Sequence, residues 1–185
     1  MHITSFMTGR ILVRFTLTAT VLLTLITAAN AQGAKPTVYK IAEAGVQLDL
    51  PSGWEAKKVP NGTIAISKKD SVGYVVFSVS VLPREPSLTI DTLFEAFSEG
   101  IYESARKDWK DFKAGTLIKD TTDGMAVRAQ KIDGSVESLG GELDGLVIVI
   151  DSPKPLGIFG QRTRKHSDLL EKESSDILSS IKKIQ

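Results

Sequence analysis

Polar and apolar positions alternate in short runs over much of this chain, and two longer segments switch to a spacing of three and four. Val46-Gln47-Leu48-Asp49-Leu50 alternates cleanly and stops at Pro51-Ser52-Gly53, which predicts a half-buried strand ended by a turn. Trp54 to Val59 and Thr63 to Ser67 predict two strands joined at Asn61-Gly62, a hairpin signal because a type I′ turn needs positive φ at both central residues. Asn61-Gly62-Thr63 also matches a glycosylation acceptor; the hairpin reading is the stronger. Tyr74 to Leu82 predicts a longer strand, broken by Pro83 and Pro86.

A helix is predicted from about Thr89, with Ile90, Leu93, Phe94, Phe97, Ile101, Ala105, Trp109 and Phe112 forming one apolar stripe over about six turns. Thr92 with Glu95 has the form of a capping box, and Thr89 offers a start one turn earlier. Gly100 is a weak point within it. Strands are then predicted over Gly115 to Asp120, Met125 to Lys131 and Glu142 to Asp151, with turns at Thr122-Asp123-Gly124 and Asp133-Gly134. The unbroken apolar run Leu146 to Ile150 indicates a central strand covered on both faces. Pro153, Pro155, Gly157 and Gly160 predict a loop. Packing of Leu156, Ile158 and Phe159 back under the sheet is the stronger reading; exposed, they would make a mixed apolar and cationic contact with the basic residues that follow. A last helix follows, from about Lys165 to Ile184, with the stripe Leu169, Leu170, Ile177, Leu178, Ile181 and Ile184. Strands, helix, strands, helix is the order of an α+β domain: a mostly antiparallel sheet with two main helices packed on it.

The first residues follow a different pattern. Arg10 and Arg14 precede an uncharged, mostly apolar run, and Ala29-Asn30-Ala31 supplies a small-x-small cleavage site. Residues 1–31 are therefore expected to be a signal peptide, residues 32–36 a linker, and residues 37–185 a single domain. The uncharged run from Phe15 to Ala34 matches the roughly 20 residues of a spanning helix, so an N-terminal inner-membrane anchor facing the periplasm is the alternative. The sequence contains no cysteine, which excludes a lipidated Cys and a disulfide framework alike. Loss of the leader takes two arginines and leaves 21 basic against 22 acidic residues. A near-neutral surface of this kind gives no reason to expect nucleic-acid binding.

Four stretches stand out together: Leu48-Asp49-Leu50-Pro51-Ser52-Gly53-Trp54, Val75 to Val81, Leu93-Phe94-Glu95-Ala96-Phe97 and the closing Ile177-Leu178-Ser179-Ser180-Ile181. They resemble the PsbP-like superfamily, the fold shared by photosystem PsbP proteins, Ran-binding Mog proteins and bacterial DcrB-like envelope proteins. The resemblance spans nearly all of the mature domain. It implies a PsbP-like α/β sandwich and an interaction module, accessory subunit or adaptor, with no family-wide catalytic or metal site.

Catalytic chemistry finds little footing. His166 is the one histidine left after cleavage, and its neighbours Ser167 and Asp168 are adjacent in sequence, so they cannot converge on it from one helix face. Asp120, Asp123, Asp133, Glu142 and Asp144 are scattered over turns without metal-ligand spacing, and no cofactor is expected. The candidate site is Arg162, Arg164, Lys165 and His166, just before or within the first turn of the last helix. Basic residues there oppose the helix dipole, and together with the free N–H groups they would form a contact for an acidic partner, a phosphate or a lipid headgroup. The alternative is a solvated loop whose charges reach Glu171 and Glu173. Trp54 and Trp109 are expected in the core.

These readings predict an exported, non-enzymatic accessory protein of the bacterial envelope, periplasmic or secreted, that binds an unidentified envelope protein. A periplasmic carrier of a small apolar or amphipathic ligand is the second reading and an envelope hydrolase the third. Against a carrier, the strands present Val, Ile, Leu and Phe, which fill space rather than leave a lumen.

Overall fold

A computed structural model describes residues 35–139 and 141–185; the predicted leader lies outside them. The strands are β1 (Thr37–Ile41), β2 (Val46–Leu50), β3 (Glu55–Lys58), β4 (Ile64–Lys69), β5 (Tyr74–Val81), β6 (Lys110–Thr122), β7 (Met125–Val136), β8 (Gly141–Ile150), β9 (Leu156–Thr163) and β10 (Lys182–Lys183). The helices are α1 (Ile90–Asp108) and α2 (Asp168–Ser179). Seven strands form one sheet in the order β3-β4-β5-β9-β8-β7-β6, and β1-β2-β10 form a second. Every neighbouring pair is antiparallel. The α+β class stands, with two sheets.

Side-chain alternation divides the core in two. Leu143, Val147 and Val149 of β8 face α1 and join Leu93, Phe94, Ile101 and Trp109. Ile148 and Ile150 point the other way, into a cluster with Val46 and Leu48 of β2 and Leu170 and Ile177 of α2. The large sheet is thus sandwiched between α1 on one face and α2 with the small sheet on the other.

The Pro51–Trp54 turn ties the layers together. Trp54 is 8 % exposed. Its ring stacks on Phe77 of β5 at 5.9 Å and 13°. The indole N–H donates to Glu173 Oε2 of α2 over 2.9 Å, and the same oxygen receives Lys68 Nζ of β4 at 2.6 Å. Lys68 also donates to the Ser52 carbonyl at 3.2 Å. One carboxylate thereby links the turn, the helix and the large sheet.

Several predicted boundaries need correction. The stretch read as a loop after Pro155 is β9, the central strand of the large sheet, with Leu156, Ile158 and Phe159 buried. Its glycines mark close packing: a Cβ on Gly157 would lie 2.6 Å from Phe97, and one on Gly160 2.9 Å from Phe77. Helix α1 ends at Asp108, so Trp109 is its cap residue and Phe112 belongs to β6, although both rings still pack together at 6.4 Å. The last helix begins after Ser167 and ends at Ser179, and Lys182–Lys183 pair with β2 instead of extending it. The hairpin at Asn61-Gly62 holds, with a different turn. Gly62 alone has positive φ, +85°, and its N–H donates to Val59 O at 2.9 Å. That is a turn with Pro60 in second place and Gly62 closing it. The turn with positive φ at both central residues is Asp123-Gly124, at 47° and 68°.

The cap of α1 is Thr89, whose hydroxyl accepts the Thr92 N–H at 3.2 Å. Gly100 lies on its exposed face, and a Cβ placed there would meet nothing within 4 Å. Gly100→Ala is expected to stabilise the protein by roughly 0.5–1 kcal/mol, read as a higher urea midpoint at unchanged m-value. A lower midpoint would mean that this face of α1 is covered.

Candidate interaction surface

Alternation along β9 places Arg162 on the same face as Ile158, the face that carries α2, and register sets it opposite Asp144 of β8. Arg162 Nε is 3.5 Å from Asp144 Oδ2, and its Nη1 is 3.2 Å from Glu171 Oε1 on α2. Arg164, just past the strand, reaches Glu142 at 3.1 Å and Asp144 at 3.2 Å, and its backbone N–H bonds the Glu142 carbonyl. Its pKa is raised by the hydrogen bond to Asp144 and by the nearby Glu142. His166 sits between two acceptors, with Nδ1 2.9 Å from Thr163 O and Nε2 3.4 Å from Glu171 Oε2. Hydrogen bonding from His166, then the Arg162 charge, holds the Glu171 carboxyl below its ordinary value.

The four predicted residues therefore lie together, at the exit of β9 rather than in the first turn of α2. That first turn carries its own acids, Asp168 and Glu171, as the dipole favours, and the Leu170 N–H is taken by Ser167 Oγ at 3.1 Å. Arg162 and Arg164 are matched by Glu142, Asp144 and Glu171. Of the two predicted acceptors Glu171 is engaged; Glu173 is committed to Trp54 and Lys68. The expected excess of positive charge at a helix end is thus a balanced cross-strand network.

A loop fixes this corner from the other side. Asp70 accepts the Val72 and Gly73 N–H groups at 2.7 and 2.8 Å and the Ser167 hydroxyl at 2.5 Å. Burial alone would raise the Asp70 pKa; these three donors outweigh it and lower it. Thr163 Oγ1 accepts the Tyr74 N–H at 3.1 Å and donates to Lys165 O at 2.8 Å. The Ser167 hydroxyl thus donates to a carboxylate and accepts a helix N–H, while the His166 ring turns to Thr163 and Glu171. The base that faces the hydroxyl is therefore the Asp70 carboxylate, and the His166 ring bonds elsewhere.

Two apolar side chains complete the corner. Leu169, predicted as core, is 60 % exposed on the first turn of α2, and Val72 of the clamped loop is 56 % exposed. Arg164 and Lys165 are exposed too; Val72 precedes Gly73, which packs on the Lys165 carbonyl, and Leu169 lies two residues after Ser167, the cap that Asp70 holds. Sequence reasoning missed them because Leu169 fits the helix stripe and Val72 adjoins a strand. The signal that could have found Leu169 is Ser167-Asp168: a cap followed by an acid places the helix start, and Leu169 then falls beside the solvent-facing Asp168.

No protein-family model matches the chain, and no curated protein does. Among solved structures it is similar to cyanobacterial PsbP (CyanoP) from Synechocystis, with 16% identity, a TM-score of 0.56, and coverage of 86% of this chain and 99% of that one. A protein from Bacteroides thetaiotaomicron matches with 12% identity and a TM-score of 0.52, covering 83% of this chain and 50% of that one. The Ran-binding protein Mog1p of Saccharomyces cerevisiae matches with 8% identity and a TM-score of 0.48, over 79% and 94% of the two chains. The fold is PsbP-like.

Proposed function

We propose that this chain is an exported, non-enzymatic accessory protein of the bacterial envelope that binds a protein partner through the corner formed by Val72, Arg164, Lys165 and Leu169. The observation that carries this reading is the combination there of two exposed apolar side chains with charges of both signs already set in place. Apolar contacts rimmed by ordered polar groups suit a protein surface, whereas a lone phosphate would meet Glu142, Asp144 and Glu171 beside the arginines. The PsbP-like fold supports an accessory or binding role as its premise.

The interior favours binding at the surface over carriage of a ligand inside. At three glycines inside β8 and β9 the space is taken: a Cβ on Gly145 would lie 2.5 Å from Ile132, and Gly157 and Gly160 are filled by Phe97 and Phe77. Among the described residues no helix is long and apolar enough to cross a membrane. Export rests on the leader, with cleavage after Ala31; the N-terminal mass of the mature protein tests it.

A photo-crosslinking residue placed at position 165 or 169 in living cells should capture one discrete protein. Placed at Glu103, on the exposed face of α1, it should capture none. Val72→Glu with Leu169→Glu should abolish the adduct. Identical adducts from all three positions, or none, would refute the surface. Binding to anionic phospholipid vesicles that Arg164→Glu and Lys165→Glu remove would replace the protein partner with a lipid headgroup.

A further inference from the structure

The large sheet ends at β3, a four-residue strand whose outer edge has no neighbour among the described residues. We propose that this edge pairs with the β3 edge of a second copy, in the antiparallel register centred on Ala56. This goes beyond the partner surface described above and shares no residue with it.

The phase of the backbone supports this register. Val59 N–H donates to Thr63 O at 2.8 Å, closing the β3-β4 hairpin. Bonding alternates along an antiparallel pair, so Val59, Lys57 and Glu55 turn their polar groups toward β4. Ala56 and Lys58 then present N–H and C=O outward. A two-fold axis perpendicular to the sheet must run between the strands midway between two copies of one residue, because facing side chains keep the same side. Centred on Ala56, the two Ala56 residues exchange both bonds. Lys58 N–H also meets the Trp54 carbonyl of the other copy; Trp54 N–H is already spent on Pro51 O at 3.3 Å.

Charge selects the partner. In this register Glu55 of each copy faces Lys57 of the other, twice, at the closer non-hydrogen-bonded spacing. Glu55, Lys57 and Lys58 are exposed and join no ion pair within the described residues. On the opposite side of the strand, a groove of about 360 Å³ runs beside Ala56, lined by Thr37, Tyr39, Leu50 and Trp54. Lys58 of the second copy falls opposite Trp54, where its aliphatic stem can lie in that groove.

The other sheet edge does not pass the same test. Strand β6 is bulged between Lys110 and Lys113 and again between Ala114 and Leu117, and Asp111 has φ 55°. Along its regular run, centring on Lys119 or Asp120 sets like charge against like. Centring on Ile118 sets Leu117 against Lys119. Lys119 is moreover held by Asp91 at 3.4 Å. Bulges and unmatched charges are the devices that keep an edge single.

A four-residue edge buries little area, so the dimer is reversible, with a Kd on the order of 10–100 µM. Sedimentation velocity on the protein purified from its producing cells, from roughly 5 to 500 µM, should show a monomer–dimer equilibrium. Glu55→Lys and Lys57→Glu should each weaken it about tenfold, since each turns two attractive pairs repulsive. The double variant E55K/K57E should regain the wild-type Kd within about threefold, and an equimolar mixture of the two single variants should pair again. Ala56→Pro removes an N–H that the monomer leaves in solvent, so it should abolish the dimer while circular dichroism stays unchanged. A monomer over the whole range, or a dimer indifferent to Glu55→Lys, would overturn the proposal.

Discussion

Replacing Trp54 with alanine is expected to cost about 4 kcal/mol in folding free energy. Against a total of roughly 5–15 kcal/mol for a domain of this kind, that change leaves a marginal protein. The ring is nearly buried, stacks on Phe77, and lies where the small sheet, α2 and the large sheet meet. Its removal opens a cavity at a junction of three layers, where no single element can move to close it. The indole N–H adds a separate contribution. Trp54→Phe keeps the stack and leaves Glu173 with one donor fewer, which should cost about 1–2 kcal/mol. Glu173→Ala is worse, about 3 kcal/mol, because it strands Lys68 and the indole together; the two charged side chains are only 19% and 15% exposed. The three losses share one oxygen, so W54F and E173A together should cost less than their sum. Urea unfolding of the four proteins measures this. A Trp54→Ala loss under about 1 kcal/mol would show that the turn is not part of the core.

The Pro-Ser-Gly-Trp turn was among the parts legible in the chain, since proline, glycine and a large aromatic after an alternating strand leave few other arrangements. Strand β9 was not legible. It lies at the centre of the sheet with both faces covered, so its residues do not alternate between apolar and polar. Its glycines read as turn formers locally, yet they are there because Phe97 and Phe77 occupy the volume their side chains would need. That constraint comes from residues about 60 and 80 positions away, and local pattern does not report it.

Missing β9 also displaced the candidate site. Once residues 156–163 are a strand, Arg162 must share a face with Asp144, and the helix can begin only after the chain turns at Ser167. The end of α1 failed for another reason. Trp109 and Phe112 continue the helical spacing by coincidence: the left-handed Asp111 redirects the chain so that both rings still reach the same cluster. A stripe predicts which residues are buried better than it predicts the backbone that buries them.

Gly73→Ala is expected to cost about 3 kcal/mol and to loosen the candidate surface before the rest of the fold. Gly73 does not have the positive φ that favours glycine; what the position lacks is room. A methyl there would overlap Thr163 Oγ1 and the Lys165 carbonyl and lie 3.4 Å from His166 Cα. The carbonyl belongs to the main chain and cannot rotate away, so the β5 entry and the β9–α2 connection must separate. Separation would break the Tyr74 N–H bond to Thr163 and the Asp70 bond to Ser167, and with them the brace on the cap of α2. Gly62→Ala is the contrast: φ is +85° with nothing within 4 Å, so only backbone strain opposes it, about 1 kcal/mol. Urea midpoints rank the two variants, and amide exchange locates the damage. In Gly73→Ala the Leu170 amide, capped by Ser167, should exchange faster while the amides of β8 stay protected. The crosslinked adduct from position 165 should weaken in the same variant. Equal costs for the two glycines, or undisturbed protection at Leu170, would mean that the Asp70 loop does not hold this corner in place.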